Sequence, residues 1–154
     1  MRSVIALVVF IVIVGAAAGA GGLFMPDSWY AGLRKPAFNP PNWIFAPVWT
    51  TLYLLMAVAA WLVWRRSGID GALLLFIVQL VLNSLWTYFF FGRHAPGLAL
   101  ADIVVLWIAI IGTIFLFAQR SGAAAWMLAP YLAWVSFAAL LNFEIWRLNA
   151  AGRS

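Results

Sequence analysis

Five long apolar segments, separated by polar breaks, constrain this chain more than any other feature of its sequence. They run over residues 4–25, 42–64, 71–91, 97–119 and 123–146. A helix of about 20 apolar residues crosses the hydrocarbon core of a bilayer. The sequence therefore predicts an all-α membrane protein, a bundle of five transmembrane helices that forms one domain over residues 1–154.

The composition agrees with a membrane protein and excludes several other classes. Hydrophobic residues make up 67% of the chain and charged residues 8%, whereas soluble domains carry about 25% charged residues. The basic residues stand singly or in pairs between apolar runs, which is typical of helix-end anchors and not of a nucleic-acid-binding surface. Nearly equal numbers on the two sides predict no orientation in the membrane.

The inventory of reactive side chains is small. The chain has no cysteine and one histidine, His94, which excludes disulfides, thiolate metal sites and cysteine nucleophiles. His94 stands in a short polar break, where we expect a solvated loop histidine. We therefore predict no metal site and no conventional catalytic centre.

The first apolar segment contains the small-residue stretch "GAAAGAGG" from Gly15 to Gly22. A secretory signal peptide has a similar pattern, but the apolar run continues to Met25, so we expect the segment to be retained. Within it, Gly15 and Gly19 form a G-x-x-x-G motif, which lets another helix approach closely. That helix could belong to the same bundle or to a second subunit.

The connection between the first two spans, Pro26–Pro41, is too long for a turn and contains four prolines. We expect it to act as a lid over one end of the bundle. Pro40 and Pro41 are expected to start the second helix, where a missing amide proton costs least. Pro47 lies in its first turns, where a tilt or kink is expected.

Polar and aromatic residues of three spans are predicted to converge in the half of the membrane that carries the C-terminus. Gln79, Asn83 and Thr87 follow the i, i+4, i+8 spacing of one helix face. Such a face makes interhelical hydrogen bonds or lines a pocket, and both interpretations are kept. Trp49 and Trp86 lie at similar depths, about two turns from the same surface. Large flat rings beside amides suit a flat, mostly apolar ligand.

The remaining intramembrane residues support more ordinary predictions. Six tryptophans near segment ends fit an interfacial belt, while Trp107 is one of four predicted to lie deeper with an indole N–H that needs a partner. Asp102, the only acid well inside a span, is expected to reach the headgroups on the C-terminal side. Glu144 and Arg147, three residues apart, are expected to form a local ion pair.

Three blocks of sequence carry a family resemblance: "KPAFNPPNWIFAPVWTTLY", "QLVLNSLWTYFFFG" and "PYLAWVSFAALLNFEIWRLN". Together with the "WYAGLRKP" loop they resemble the TspO/MBR family, the tryptophan-rich sensory proteins of bacteria and the related mitochondrial translocator proteins, or peripheral-type benzodiazepine receptors. The resemblance implies a homodimer of five-helix bundles. It also implies a pocket below the first loop for porphyrins such as protoporphyrin IX, and for isoquinoline carboxamides or benzodiazepines, with porphyrin a ligand and no obligatory cofactor.

The resemblance also assigns the pocket residues, and two departures from the family pattern qualify the ligands. Phe38 stands in the loop where many members carry tryptophan, so its ligand contact is not assigned. Phe143 replaces the tyrosine of the steroid-recognition pattern, so sterol binding is discounted. The implied ligand-binding residues are Tyr30, Trp49, Tyr53, Asn83, Trp86, Phe90, Trp134, Ala138 and Leu141.

The leading functional hypothesis is an integral membrane tetrapyrrole sensor or regulator linked to porphyrin metabolism. One alternative is a transporter of porphyrins or other apolar solutes, although no internal repeat is visible. A second alternative, implied by the resemblance, is light-dependent porphyrin degradation that uses Trp49 and Trp134. We expect a bacterial protein, with the inner and outer membrane equally open.

Overall fold

The computed structural model describes residues 2–22, 28–39 and 41–150. Five helices are long and apolar enough to cross a membrane, which confirms the predicted fold class. Their bounds agree with the predicted segments to within a few residues, and residues 23–25 of the first segment lie outside the described part. A one-turn helix, α2 (Ser28–Ala31), lies in the first connection, and the five long helices are α1 (Arg2–Gly22), α3 (Phe45–Ser67), α4 (Gly71–Thr87), α5 (Pro96–Ala118) and α6 (Gly122–Ala150).

Local sequence explains several helix ends. A short 3-10 turn, Asn42–Ile44, precedes α3. Pro47 is the third residue of α3. Proline is tolerated there because an amide proton in the first turn of a helix has no intrahelical acceptor. Asp70 caps α4 by accepting a hydrogen bond from the Ala72 amide at 3.0 Å. Gly68 ends α3 with φ of 69°, a backbone conformation that residues with a Cβ atom rarely adopt.

The helices pack as a closed ring in the order α1, α3, α6, α5, α4. The core between them contains small residues such as Ala59 and Ala60 on α3 and large ones such as Phe76 on α4 and Phe117 on α5, whose rings stack at 5.8 Å. Successive spans cross in opposite directions, so neighbours in the ring are antiparallel except α1 with α4. The lid connection, the α4–α5 loop and the end of α6 therefore share one side of the membrane.

The end of α4 is not a regular α-helix. Residues Tyr88–Gly92 form a π-helical turn, and Arg93 and Ala95 donate backbone hydrogen bonds to Tyr88 and Phe89 at 2.8 and 2.9 Å. A π-turn rotates the side chains that follow it relative to an ideal helix. It thereby sets the directions of the aromatic residues that follow Tyr88.

An ion pair joins two loops at the opposite end of the bundle. Arg120 Nε lies 3.0 Å from Asp70 Oδ2. Desolvation opposes ionisation of Asp70, but hydrogen bonds from Arg120 and the Ala72 amide outweigh it and hold the pKa of the carboxyl below its ordinary value. Since the folded state has the lower pKa, this contribution to stability exists above the unfolded pKa, about 3.9, and is lost as the pH falls through the folded pKa.

We expect Asp70→Asn to destabilise the protein at pH 7 and to have a smaller effect at pH 3, because part of the carboxylate is then protonated in the wild type. Asparagine still caps α4, so the variant removes the charge and keeps the cap. Unfolding in mixed detergent micelles at both pH values measures the difference between wild type and variant. A difference that stayed constant between pH 7 and pH 3 would contradict the electrostatic origin.

The predicted indole partner of Trp107 is present, whereas the prediction for Asp102 is wrong. Trp107 faces outward, with 37% of its surface exposed, and its indole N–H donates to Ser136 Oγ on neighbouring α6 at 2.8 Å. Asp102 does not reach the headgroups, because the packing of its helix turns it inward and leaves 8% of it exposed. The predicted pair of Glu144 and Arg147 is confirmed, with Oε2 and Nη2 2.5 Å apart.

Candidate functional site: an aromatic cluster below the lid

The first connection is held over the bundle from two sides. On one side the ring of Trp29 stacks on His94 of the α4–α5 loop, with centroids 4.4 Å apart. On the other side the Asn149 side chain accepts from the Arg34 amide at 3.0 Å and donates to the Arg34 carbonyl at 2.9 Å. His94 is therefore half-buried against an indole ring, which corrects the expectation of a solvated loop histidine.

Tyr30 of the lid points into the bundle. Only 3% of it is exposed, and its ring lies 6.1 and 5.4 Å from those of Phe90 and Phe91. Its hydroxyl lies 3.1 Å from Asn39 Oδ1. Burial raises the pKa of this hydroxyl, and the hydrogen bond to Asn39 opposes the shift. Tyr30 therefore supplies a neutral hydroxyl and an aromatic surface at the roof of the site.

A first group of rings forms below the lid between α3 and α6. Trp49 stacks on Tyr53 at 5.6 Å, and meets Trp134 edge-to-face at 6.4 Å and 88°. Trp134 lies 5.5 Å from Phe137, and that ring contacts Phe38 of the lid at 6.0 Å. Rings of three structural elements are thus contiguous, and the two tryptophans of the photochemical alternative touch each other.

A second group of rings covers the end of α4. Trp86 stacks on Phe90 at 5.3 Å, and Phe90 in turn contacts Trp29 of the lid at 5.8 Å. Leu141 of α6 and Ala99 of α5 pack into the same cluster. The cluster therefore connects the lid with three transmembrane helices at a single depth.

A buried chain of hydrogen bonds joins the first ring group to the core. Tyr53 donates to Asn83 Oδ1 at 3.0 Å, and Asn83 Nδ2 donates to the Tyr131 hydroxyl at 2.8 Å. Tyr131 donates to Gln79 Oε1 at 2.6 Å. The predicted face of α4 thus makes interhelical bonds at Gln79 and Asn83, and Asn83 also contacts a predicted pocket residue. Thr87, half-buried, is the last residue of α4.

A second polar tie joins α4, α5 and α6 near the lid. The indole N–H of Trp86 donates to Asn142 Oδ1 at 2.9 Å, and Asn142 Nδ2 donates to the Pro96 carbonyl at 2.9 Å. This tie sets the height of α4, α5 and α6 relative to one another. Neither Asn142 nor Tyr131 was assigned from the sequence, because each stands in a predominantly apolar stretch of the fifth span.

The structure brings all nine predicted ligand-binding residues into or beside these two ring groups. Trp49, Tyr53, Asn83 and Trp134 belong to the first group and its hydrogen-bonded chain. Tyr30, Trp86, Phe90 and Leu141 form the second. Ala138, which is 8% exposed, lies one turn from Leu141 and from Trp134 on α6. The assignment of these residues to a ligand remains a prediction.

The fold and this site define a class: a five-helix integral membrane protein with a tryptophan-rich cluster below its first connection. The chain belongs to the TspO/MBR family, whose sequence profile matches residues 6–147.

Named relatives agree with this assignment. The chain is 46% identical over 137 residues to tryptophan-rich protein TspO of Chlorobaculum tepidum, covering 84% of this chain and 87% of that protein. It is 43% identical to the tryptophan-rich sensory protein of Cereibacter sphaeroides, over 91% and 89% of the two chains. It is also 42% identical to the human translocator protein, over 81% of this chain and 77% of that protein.

Proposed function

We propose that this protein is a tetrapyrrole-binding sensor or regulator whose ligand lies among the rings below the lid. The observation that carries the proposal is the contact of Trp49 with both Tyr53 and Trp134, next to the amide of Asn83. A flat apolar macrocycle gains both burial and offset stacking against such rings. Isoquinoline carboxamides and benzodiazepines, which are also flat and apolar, are proposed to share the site.

The closed lid has a consequence for how such a ligand would enter. Tyr30, Phe90 and Leu141 are all nearly fully buried, so a macrocycle must displace part of the lid or of the ring groups to reach them. The two anchor points of the lid, Trp29 on His94 and Arg34 on Asn149, are polar or partly exposed contacts. Contacts of this kind open more easily than the packed core.

Titration of the purified protein with protoporphyrin IX, followed by quenching of tryptophan fluorescence, tests the proposal. We expect Trp49→Ala and Trp134→Ala each to weaken binding about tenfold, because each removes one stacked or edge-on ring. Trp126→Ala is the matched control, since Trp126 is 78% exposed on the outer face of α6. Equal affinities in wild type and both site variants would contradict the assignment.

We also propose that two copies associate through α1. A Cβ added at Gly15 or Gly19 would meet nothing within 4 Å, so no described helix of the same chain packs closely on the G-x-x-x-G motif. An apolar groove of about 650 Å³ lies beside it, between α1 and α4, lined in part by Ala16, Ala17 and Val81. Small residues and a groove suit close packing of a second membrane helix.

Gly15→Leu is expected to convert a dimer into a monomer, because leucine would fill the surface that the second helix needs. Light scattering of the protein in detergent measures the mass. The control is Ala101→Leu, a substitution of a small residue on the exposed face of α5. A dimer that survives Gly15→Leu would place the interface elsewhere.

A further inference from the structure

Asp102 is a buried acid that the ring groups do not account for. It is 8% exposed, and its Oδ2 has no hydrogen-bond partner among the described residues. A buried polar atom without a partner costs free energy in any protein and more so in a bilayer. Its position therefore calls for a group that can donate a hydrogen bond to it.

The contacts between α5 and α6 fix the depth of Asp102. Near one end of the pair, Asn142 donates to the Pro96 carbonyl; further in, Trp107 donates to Ser136. Counting along the antiparallel helices between these two contacts places Asp102 level with residues 136–141 of α6. That stretch contains Ala138 and Leu141, two of the residues in the proposed ligand site.

The contacts between α4 and α5 give the same depth independently. Phe76 stacks on Phe117, and a Cβ added at Gly112 would lie 3.1 Å from Leu75 Cδ2. Counting from these contacts toward the lid places Asp102 level with residues 85–91 of α4. That stretch contains Trp86 and Phe90, which stack on each other in the second ring group.

The face of α5 that carries Asp102 also points toward the site. Ala99, one turn before Asp102 and on the same side of the helix, packs with Tyr30, Phe90 and Leu141. Ile103, the next residue, packs into the main core. Asp102 thus lies at the boundary between the ring cluster and the core, on the inner surface of the bundle.

We propose that Asp102 is a ligand-binding residue that accepts a hydrogen bond, and that it makes the site selective for flat apolar molecules carrying an N–H or O–H donor. This inference rests on the proposed function and adds a selection rule to it. A carboxyl oxygen accepts a hydrogen bond whether or not the group is protonated. A ligand with a donor at this depth satisfies Oδ2, whereas an isosteric ligand without one leaves it unsatisfied.

The pair of carbazole and fluorene tests this rule, because they are flat tricyclic molecules that differ in one bridging group, N–H in carbazole and CH₂ in fluorene. Equilibrium dialysis of the full-length protein in detergent micelles measures the affinity of each. The ratio of the two affinities, compared between wild type and variants, cancels their partition into detergent. We expect wild type to prefer carbazole about tenfold, as one buried hydrogen bond predicts.

The variants separate Asp102 from the rest of the site. Asp102→Leu is expected to abolish the preference and to leave fluorene affinity within about twofold, since one hydrogen bond is lost and apolar contact is kept. Asp102→Asn, which keeps size and polarity in case leucine disturbs folding, is expected to reduce the preference at least about threefold. Asp70→Asn is the control, because Asp70 lies at the opposite end of the bundle beside Arg120, and it should keep the full preference.

Three results would overturn the inference: equal wild-type affinities for the two compounds, no binding of either, or a preference that survives both substitutions of Asp102. The first would mean that solvent satisfies Oδ2. Failure of the proposed function is distinguishable, because it would appear as absent protoporphyrin binding in wild type. Bound protoporphyrin with equal affinities for carbazole and fluorene would reject the role of Asp102 alone.

Discussion

Asn142→Leu is expected to lower the free energy of unfolding by about 2–3 kcal/mol. The Asn142 amide accepts from the Trp86 indole and donates to the Pro96 carbonyl, so leucine removes both bonds at once. An interhelical hydrogen bond in a membrane protein contributes about 0.6 kcal/mol on average, and a buried donor left without a partner costs about 1–3 kcal/mol. The stranded indole N–H of Trp86 therefore supplies most of the loss.

Unfolding with sodium dodecyl sulfate in mixed micelles, followed by circular dichroism, measures this change. Asn149→Leu is the matched control, because the same substitution on the same helix removes only partly exposed bonds to the Arg34 backbone. Asn149→Leu should lower the free energy of unfolding by well under half as much as Asn142→Leu. Equal losses in the two variants would show that the Asn142 tie does not hold the three helices together.

Tyr131→Phe is expected to lower the free energy of unfolding by about 2 kcal/mol, although it deletes one oxygen atom. That hydroxyl accepts from Asn83 Nδ2 and donates to Gln79 Oε1. Phenylalanine keeps the ring and its packing, so the change isolates the polar contribution. It leaves two polar groups of α4 facing the ring edge in the middle of the bundle, where water is not available as a substitute.

Tyr53→Phe provides the comparison for Tyr131→Phe in the same unfolding experiment. Tyr53 ends the chain of hydrogen bonds and donates one bond, to Asn83 Oδ1. Removal of the Tyr53 hydroxyl should therefore lower the free energy of unfolding by about half as much as removal of the Tyr131 hydroxyl. If the two variants were equally stable, the chain would not be anchored at Tyr131.

Hydropathy and helical spacing predicted the fold correctly because both depend on residues that are near one another in sequence. Each span is identified by its own apolar run, and the partners Gln79 and Asn83 by their spacing on one helix face. The placement of Trp49 and Trp86 at one depth also followed from the number of residues between each ring and the end of its span. Each of the two rings is connected to the lid through intervening rings, which agrees with this placement.

Rotation of helices about their own axes could not be read in this way. Trp107 faces outward on α5, whereas Asp102, which was predicted to reach the headgroups, faces inward. In a span as uniformly apolar as α5, hydropathy does not mark the inner face. The contacts with α4 and α6 decide it.

The sequence by itself determined five membrane-spanning helices, the long connection between the first two, and the similar depth of Trp49 and Trp86. Those features depend on local hydropathy, chain length and residue spacing. Only the tertiary structure decided that Tyr131 and Asn142 join helices beside the ring cluster, and that Asp102 faces inward with one oxygen that has no partner among the described residues. Hydrogen-bond partners on different helices depend on register and rotation, which are set by the packing of all five helices at once.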